Sequence, residues 1–269
     1  VTEQEVNKLI AREDLVTRLD RAAAGRMTII SAPAGSGKTS LLRAWSDRPG
    51  RTHRVAFVPV RRGEQDAQAF WLALLNAVCH SPGAASQAEP PTATVDFDAR
   101  TSADKVFSEL ADQRDPVILV IDDLHELNCP ESLDQLGRLL GSLPPHVNAI
   151  VATRHDLRLR LHQLRLAGEL SEIRAAHLRF TGRETRELLA ASGIALSAAD
   201  AELLCQRTEG WAAGLRLAAL SLTGHPDPGR FIAEFSGSER VVAEYLIAEM
   251  LERQPEDMQN LLLRTSLLD

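Results

Sequence analysis

Along the first 153 residues, four short apolar runs stand apart from more mixed sequence: MTIIS (27–31), RVAFVPV (54–60), VILVID (117–122) and NAIVAT (148–153). Each has strand length, is rich in Val and Ile, and is bounded by turn or charged residues. Continuous apolar runs of this kind fit strands buried on both faces of a parallel sheet. Between them the pattern changes to helical: segments 38–47, 66–80, 102–113 and 131–142 are predicted helices. In AQAFWLALLNAV, Phe70, Leu74 and Val78 fall on one face at i, i+4 and i+8. This β-α-β-α alternation predicts an α/β fold with a parallel sheet flanked by helices. GELSEIRAAHL (168–178) is a candidate fifth strand, and the Pro/Ala/Ser/Thr-rich segment 81–100 reads as a surface loop within the domain.

Beyond Phe180 the strand signals cease. TGRE (181–184) is a full capping box and SAAD (197–200) a second helix start. The rest of the chain reads as helical to its end, interrupted near TGHPDPGR (223–230). The domain boundary is expected near residue 178, with a helical domain behind it. No internal repeat is evident.

Composition narrows the class. Among 269 residues, 44% are hydrophobic, 25% charged and only 4% aromatic, an ordinary globular balance that favours helices over an all-β sandwich. A net charge of −7 argues against DNA binding as the main content of this segment. Three scattered cysteines (Cys79, Cys129, Cys205) show no metal-ligand spacing, so a reduced cytoplasmic protein without structural zinc is expected. No run approaches the roughly 18 apolar residues of a membrane span. A start at Val1 and an end at LLLRTSLLD suggest an excised fragment of a longer protein.

The strongest chemical signal is APAGSGKT (32–39), between strand MTIIS and helix KTSLLRAW. It matches the phosphate-loop pattern G-x-x-x-x-G-K-[ST], with Ala32 in place of the first Gly. Gly35 and Gly37 permit a tight turn whose successive N–H groups converge on phosphate oxygens, at the positive end of the helix starting at Lys38. Lys38 supplies charge to the β- and γ-phosphates, and the Thr39 hydroxyl suits Mg²⁺. The cofactor-binding loop is therefore Pro33, Ala34, Gly35, Ser36, Gly37, Lys38, Thr39 and Ser40.

Such a site needs an acidic partner, and VILVIDDLHEL (117–127) supplies it where a buried strand surfaces. Asp122 is assigned to the Mg²⁺ shell through water, and Asp123 as the candidate to polarise an attacking water. The alternative for Asp123 is a structural hydrogen-bonding acid. His125 and Glu126 read as packed polar residues. Arg154, at the end of the fourth strand, could meet a γ-phosphate or pair on the surface with Asp156 or another acid.

Together IISAPAGSGKTSLLRAW, LVIDDLHEL, VATRHD, LRFTGRETRELL and RTEGWAAGLRLAALSL resemble the large ATP-binding LuxR-type regulators, the MalT-like branch of the STAND nucleotide switches. The resemblance runs from about Ile10 to the end. It implies a nucleotide-binding domain (1–178), a helical domain (179–235) and the beginning of a winged-helix domain (236–269). It also implies a helical-repeat sensor for a small-molecule inducer and a DNA-binding helix-turn-helix, both outside this chain. In such proteins ADP holds a monomeric resting state, while inducer and ATP favour self-association, and slow hydrolysis resets the switch. By position, Lys38 and Thr39 match the phosphate loop, Asp122 and Asp123 the acidic pair, and Arg154 the sensor arginine. LIAREDL (9–15) matches a segment bordering adenine, with Arg12 either there or a solvated lead-in charge. GLRLA (214–218), including Gly214, stands where related switches have a nucleotide-packing proline; here Arg216 occupies that place. Trp211 reads either as closing over the nucleotide or as core.

A turnover ATPase motor or small-molecule kinase is the competing expectation. Arg158, Arg160 and Arg165 could form a kinase-like cluster, but Leu157, Leu161 and Leu164 share one face, which fits a solvated amphipathic helix. A pure scaffold that merely retained the loop would bind no Mg²⁺-nucleotide.

Overall fold

The computed structural model describes residues 12–50, 53–60, 67–80, 97–156, 162–235, 240–247 and 257–259. The chain divides into two compact units. The first comprises Glu13–Pro33 and Lys38–His177; the described residues from Leu178 onward, Arg12 and the loop tip Ala34–Gly37 form the second.

In the first unit the elements run α1 (Glu13–Ala23), β1 (Met27–Ser31), α2 (Lys38–Ser46), β2 (Arg54–Pro59), α3 (Ala67–His80) and α4 (Ala99–Ala111). They continue with β3 (Val117–Asp122), α5 (Pro130–Gly141), β4 (Val147–Thr153), α6 (His162–Leu166), β5 (Leu170–Arg174) and the short α7 (Ala175–Leu178), whose last residue counts with the second unit. The five strands form one sheet in the order β2-β3-β4-β1-β5, with every neighbouring pair parallel. Ser31 pairs with Thr153, and Ile121 with Val151. The carboxyl ends of β1, β3 and β4 therefore lie along one edge, where ligands of open α/β sheets gather.

The predicted strands and helices are present, with shifted ends. The helix expected from 102 starts at Ala99, because Asp98 caps it, accepting from the Thr101 backbone N–H at 2.7 Å. Pro130 occupies the first turn of α5, where its missing N–H costs nothing. The fifth strand ends at Arg174 and turns into α7. Strand β3 is buried throughout, and Leu119, Val120 and Ile121 have no exposed surface. Trp71 is anchored in this core, its indole N–H donating to Ser132 Oγ at 3.2 Å. The start of the predicted 66–80 helix, most of the 81–100 loop, and Leu157, Arg158, Arg160 and Leu161 lie outside the described residues.

The second unit is helical: α8 (Gly182–Ala191), α9 (Ala198–Arg207), α10 (Ala212–Leu222), α11 (Pro228–Glu234) and α12 (Arg240–Leu246). Both predicted caps are made. The Thr181 hydroxyl accepts from Glu184 N–H while the Glu184 carboxylate accepts from Thr181 N–H, and Ser197 accepts from Asp200 N–H. Leu189, Leu204, Leu215, Ala218 and Ile232 are fully buried at the centre of this unit's own core. Asp227 and Pro228 start α11, which accounts for the expected interruption. Of the segment expected to begin a winged helix, all but 240–247 and 257–259 lies outside the described residues. Among the described residues, no helix is long and apolar enough to cross a membrane.

Candidate nucleotide-binding site

Strand β1 ends at Ser31, and the chain turns through Ala32–Gly37 into α2, which begins at Lys38. Gly35 and Gly37 adopt φ of 68° and 82°, left-handed values that explain why glycine stands at both positions. Ala32, at the departure from the motif, is 3% exposed and donates its N–H to Thr153 O on β4, so a small side chain fits there. Lys38 is 5% exposed, and its ammonium donates to the carbonyls of Ala32 at 2.7 Å and Pro33 at 3.0 Å. Burial lowers its pKa from 10.5 to about 8, against the opposing attraction of Asp123 and Asp122; Arg154 adds to the lowering. Lys38, Asp122, Asp123 and Arg154 thus interact electrostatically within one unit.

Asp122 ends β3 and is 1% exposed. Burial and the neighbouring Asp123 raise its pKa, opposed by hydrogen bonds from the Thr39 side chain and the Asp123 amide, the latter at 3.0 Å. A hydroxyl and a buried carboxylate held together beside an ammonium are the donor set for a hard cation such as Mg²⁺ bound with phosphate. Asp123 is left-handed at φ 56°, a conformation Asp tolerates better than most residues, and its side chain is 38% exposed. The same turn buries His125, whose side chain is 7% exposed and lies 3.9 Å from Asp123 and 3.4 Å from Glu126. The His155 ring stands edge-on to it at 6.1 Å. His125 is packed, as its sequence position suggests, and it is also a neighbour of the acidic pair. The DDLHE spacing after a buried strand is the sequence signal for that second property.

Arg154 lies just past the end of β4 and is partly buried. Asp156, one candidate surface partner, is bonded by Arg174, and Ser31 Oγ donates to it at 3.4 Å. Arg165 pairs with Glu172 at 2.5 Å.

Three further candidates, Arg12, Trp211 and Gly214, lie in the helical unit. The Arg12 guanidinium donates to Glu184 at 2.9 and 3.4 Å, to Leu178 O at 2.9 Å and to Arg179 O at 2.7 Å, and it lies 4.2 Å over the Phe180 ring. It is a tie between the chain preceding α1 and the cap of α8. Trp211 precedes α10 and donates from Nε1 to Ala34 O at 3.0 Å. Gly214 makes room for that indole, since a Cβ there would stand 2.8 Å from Trp211 Cε3.

A parallel sheet whose first strand runs into this loop, with a buried acid ending β3, defines a P-loop nucleotide-binding ATPase domain. The AAA ATPase domain family profile matches residues 8–152, and the chain belongs to that family. Membership implies nucleotide binding. Over 97% of its length the chain is 31% identical to the serine/threonine-protein kinase PknK of Mycobacterium tuberculosis, spanning 24% of that protein. Over 96% it is 30% identical to the HTH-type transcriptional regulator MalT of Klebsiella pneumoniae, spanning 29% of it. The chain thus spans less than a third of the length of these relatives. Similar solved structures include a Walker-type ATPase of Pyrococcus abyssi (TM-score 0.57, 17% identity, 91% of this chain and 75% of that one). Another is a STAND protein with a tetratricopeptide-repeat sensor from Pyrococcus horikoshii (TM-score 0.54, 16% identity, 96% and 34%). At such identities these likenesses establish the fold.

Proposed function

We propose that this chain is the ATP/ADP-binding switch module of a cytoplasmic LuxR-type transcriptional regulator. It binds Mg²⁺-nucleotide, hydrolyses it slowly, and controls self-association and DNA binding through parts outside this chain. The observation that carries the reading is Lys38, Thr39, Asp122, Asp123 and Arg154 gathered at one sheet edge, beside a loop with two left-handed glycines. Lys38 exchanges its neutral carbonyl acceptors for phosphate oxygens. Thr39, and Asp122 through water, would hold Mg²⁺, which when bound neutralises phosphate charge. Asp123 accepts the proton of an attacking water, and Arg154 stabilises negative charge at the γ-phosphate. An Asp reaches one methylene less far than a Glu, which suits a slow reset.

A second reading keeps this module and changes its output. The 31% identity to a protein named as a serine/threonine kinase supports a switch attached to a kinase. Both readings require nucleotide binding at Lys38. Calorimetry should find Mg²⁺-ADP and Mg²⁺-ATP binding to the wild-type chain and none to Lys38→Ala; equal affinity for both proteins would remove the site.

A further inference from the structure

Trp211 does not need to touch a nucleotide to act on one. The loop tip Ala34–Gly37 belongs to the same compact unit as α10. Two of its carbonyls are held there: Ala34 O accepts from the Trp211 indole N–H at 3.0 Å, and Gly35 O from the Ala213 backbone N–H at 2.9 Å. The fit is close. A Cβ on Gly35 would stand 2.5 Å from Ala213 Cβ, 2.8 Å from Tyr245 Oη and 3.0 Å from the Trp211 ring.

Trp211 is itself fixed from several sides. Its ring packs on Gly214 and meets the Tyr245 ring edge-on at 5.6 Å. Its backbone N–H donates to Thr208 O at 2.9 Å. The preceding turn, left-handed at Glu209 and Gly210, is bound by Phe180 N–H at Gly210 O, 2.9 Å.

In a planar trans peptide the C=O and N–H point in opposite directions. Fixing Ala34 O and Gly35 O therefore fixes the directions of Gly35 N–H and Ser36 N–H, and aims both away from α10. A hydrogen bond accepted by a carbonyl also polarises the N–H of the same peptide, strengthening it as a donor. Those two amides belong to the set that a phosphate loop turns on its anion.

We propose that Trp211 is a positioning residue for the phosphate loop: its indole N–H, with the Ala213 amide, orients the 34–35 and 35–36 peptides for the nucleotide's phosphates. This rests on the reading that loop 33–40 binds the phosphate chain. It makes phosphate affinity depend on the two bonds that hold the tip carbonyls of residues 34 and 35, with no contact between Trp211 and the base or ribose.

The test uses the full chain and Trp211→Phe, which keeps an apolar ring and removes the donor. Mg²⁺-ADP affinity is measured by calorimetry, and inorganic pyrophosphate is titrated as a competitor. Losing one neutral hydrogen bond should weaken both by about fivefold to tenfold. If ADP weakens while pyrophosphate does not, Trp211 acts on the adenosine moiety and the proposal is overturned. It is equally overturned if neither changes. Should Trp211→Phe lose its fold, benzothienylalanine incorporated at position 211, which keeps the bicyclic ring and replaces the indole N–H by sulfur, is judged by the same two affinities. A wild-type chain that binds no ADP instead defeats the underlying nucleotide reading.

Discussion

Replacing Arg12 by Met keeps an unbranched apolar stem and deletes the guanidinium that ties the chain before α1 to α8. The ion pair with Glu184 is well covered, with side chains 13% and 14% exposed. Removing one partner of a buried pair costs about 3–5 kcal/mol when the other charge is left alone. Glu184 is not left alone, because Thr181 N–H and Oγ1 still donate to it at 2.8 and 3.1 Å. The carbonyls of Leu178 and Arg179 each lose a charged donor, and the Phe180 ring loses its cation. The expected loss is about 3 kcal/mol. Urea denaturation monitored by circular dichroism should show the midpoint falling by about 1 M or more. Arg12→Met and Glu184→Gln together should cost less than the sum of the two single losses, since they share one interaction. Acid dependence gives a second check. Burial raises the Glu184 pKa, but the bonds from Arg12 and Thr181 outweigh it and hold the carboxyl below its usual value. Its stabilisation is present above the ordinary glutamate pKa and is lost as pH falls through the lowered one. Arg12→Met should flatten that acid limb. If Arg12 instead borders adenine, the variant keeps its urea midpoint and loses ADP affinity, a result that would refute this reasoning.

Lys38 predicts a pH signature. With its pKa lowered to about 8, the charged form carries the burial cost below that pH. Nucleotide-free stability should therefore rise from about pH 8 towards the ordinary lysine value. Phosphate binding favours the ammonium, so Mg²⁺-ADP affinity measured by calorimetry should fall about tenfold or more between about pH 7.5 and 9.5. Asp123→Asn should retain ATP binding while hydrolysis, monitored by phosphate release, drops by about 100-fold or more; unchanged hydrolysis would assign Asp123 a structural role.

Much of the fold is legible in the sequence because buried parallel strands write continuous Val/Ile runs, and 117–122 is buried at every position. The phosphate loop, the acid pair and Arg154 are legible because each lies at the end of such a run, so strand ends alone bring them to one edge. Helix ends are less so: Asp98 sits in loop-like sequence, and only its bond to Thr101 marks it as a cap. Arg12 and Trp211 are ambiguous for a different reason. Backbone carbonyls at residues 34, 178 and 179 are among their partners, up to 177 positions away, and a backbone acceptor leaves no mark in side-chain spacing.

On the proposed reading, the site holds nucleotide far longer than it takes to cleave it. Hydrolysis of Mg²⁺-ATP by the purified chain, followed through single and multiple turnovers, with the resident nucleotide identified after denaturation, is the sharpest test. Retained ADP and turnover well below about 1 s⁻¹ are predicted, whereas sustained turnover in the usual enzyme range, above about 1 s⁻¹, would contradict the switch and favour a motor or small-molecule kinase.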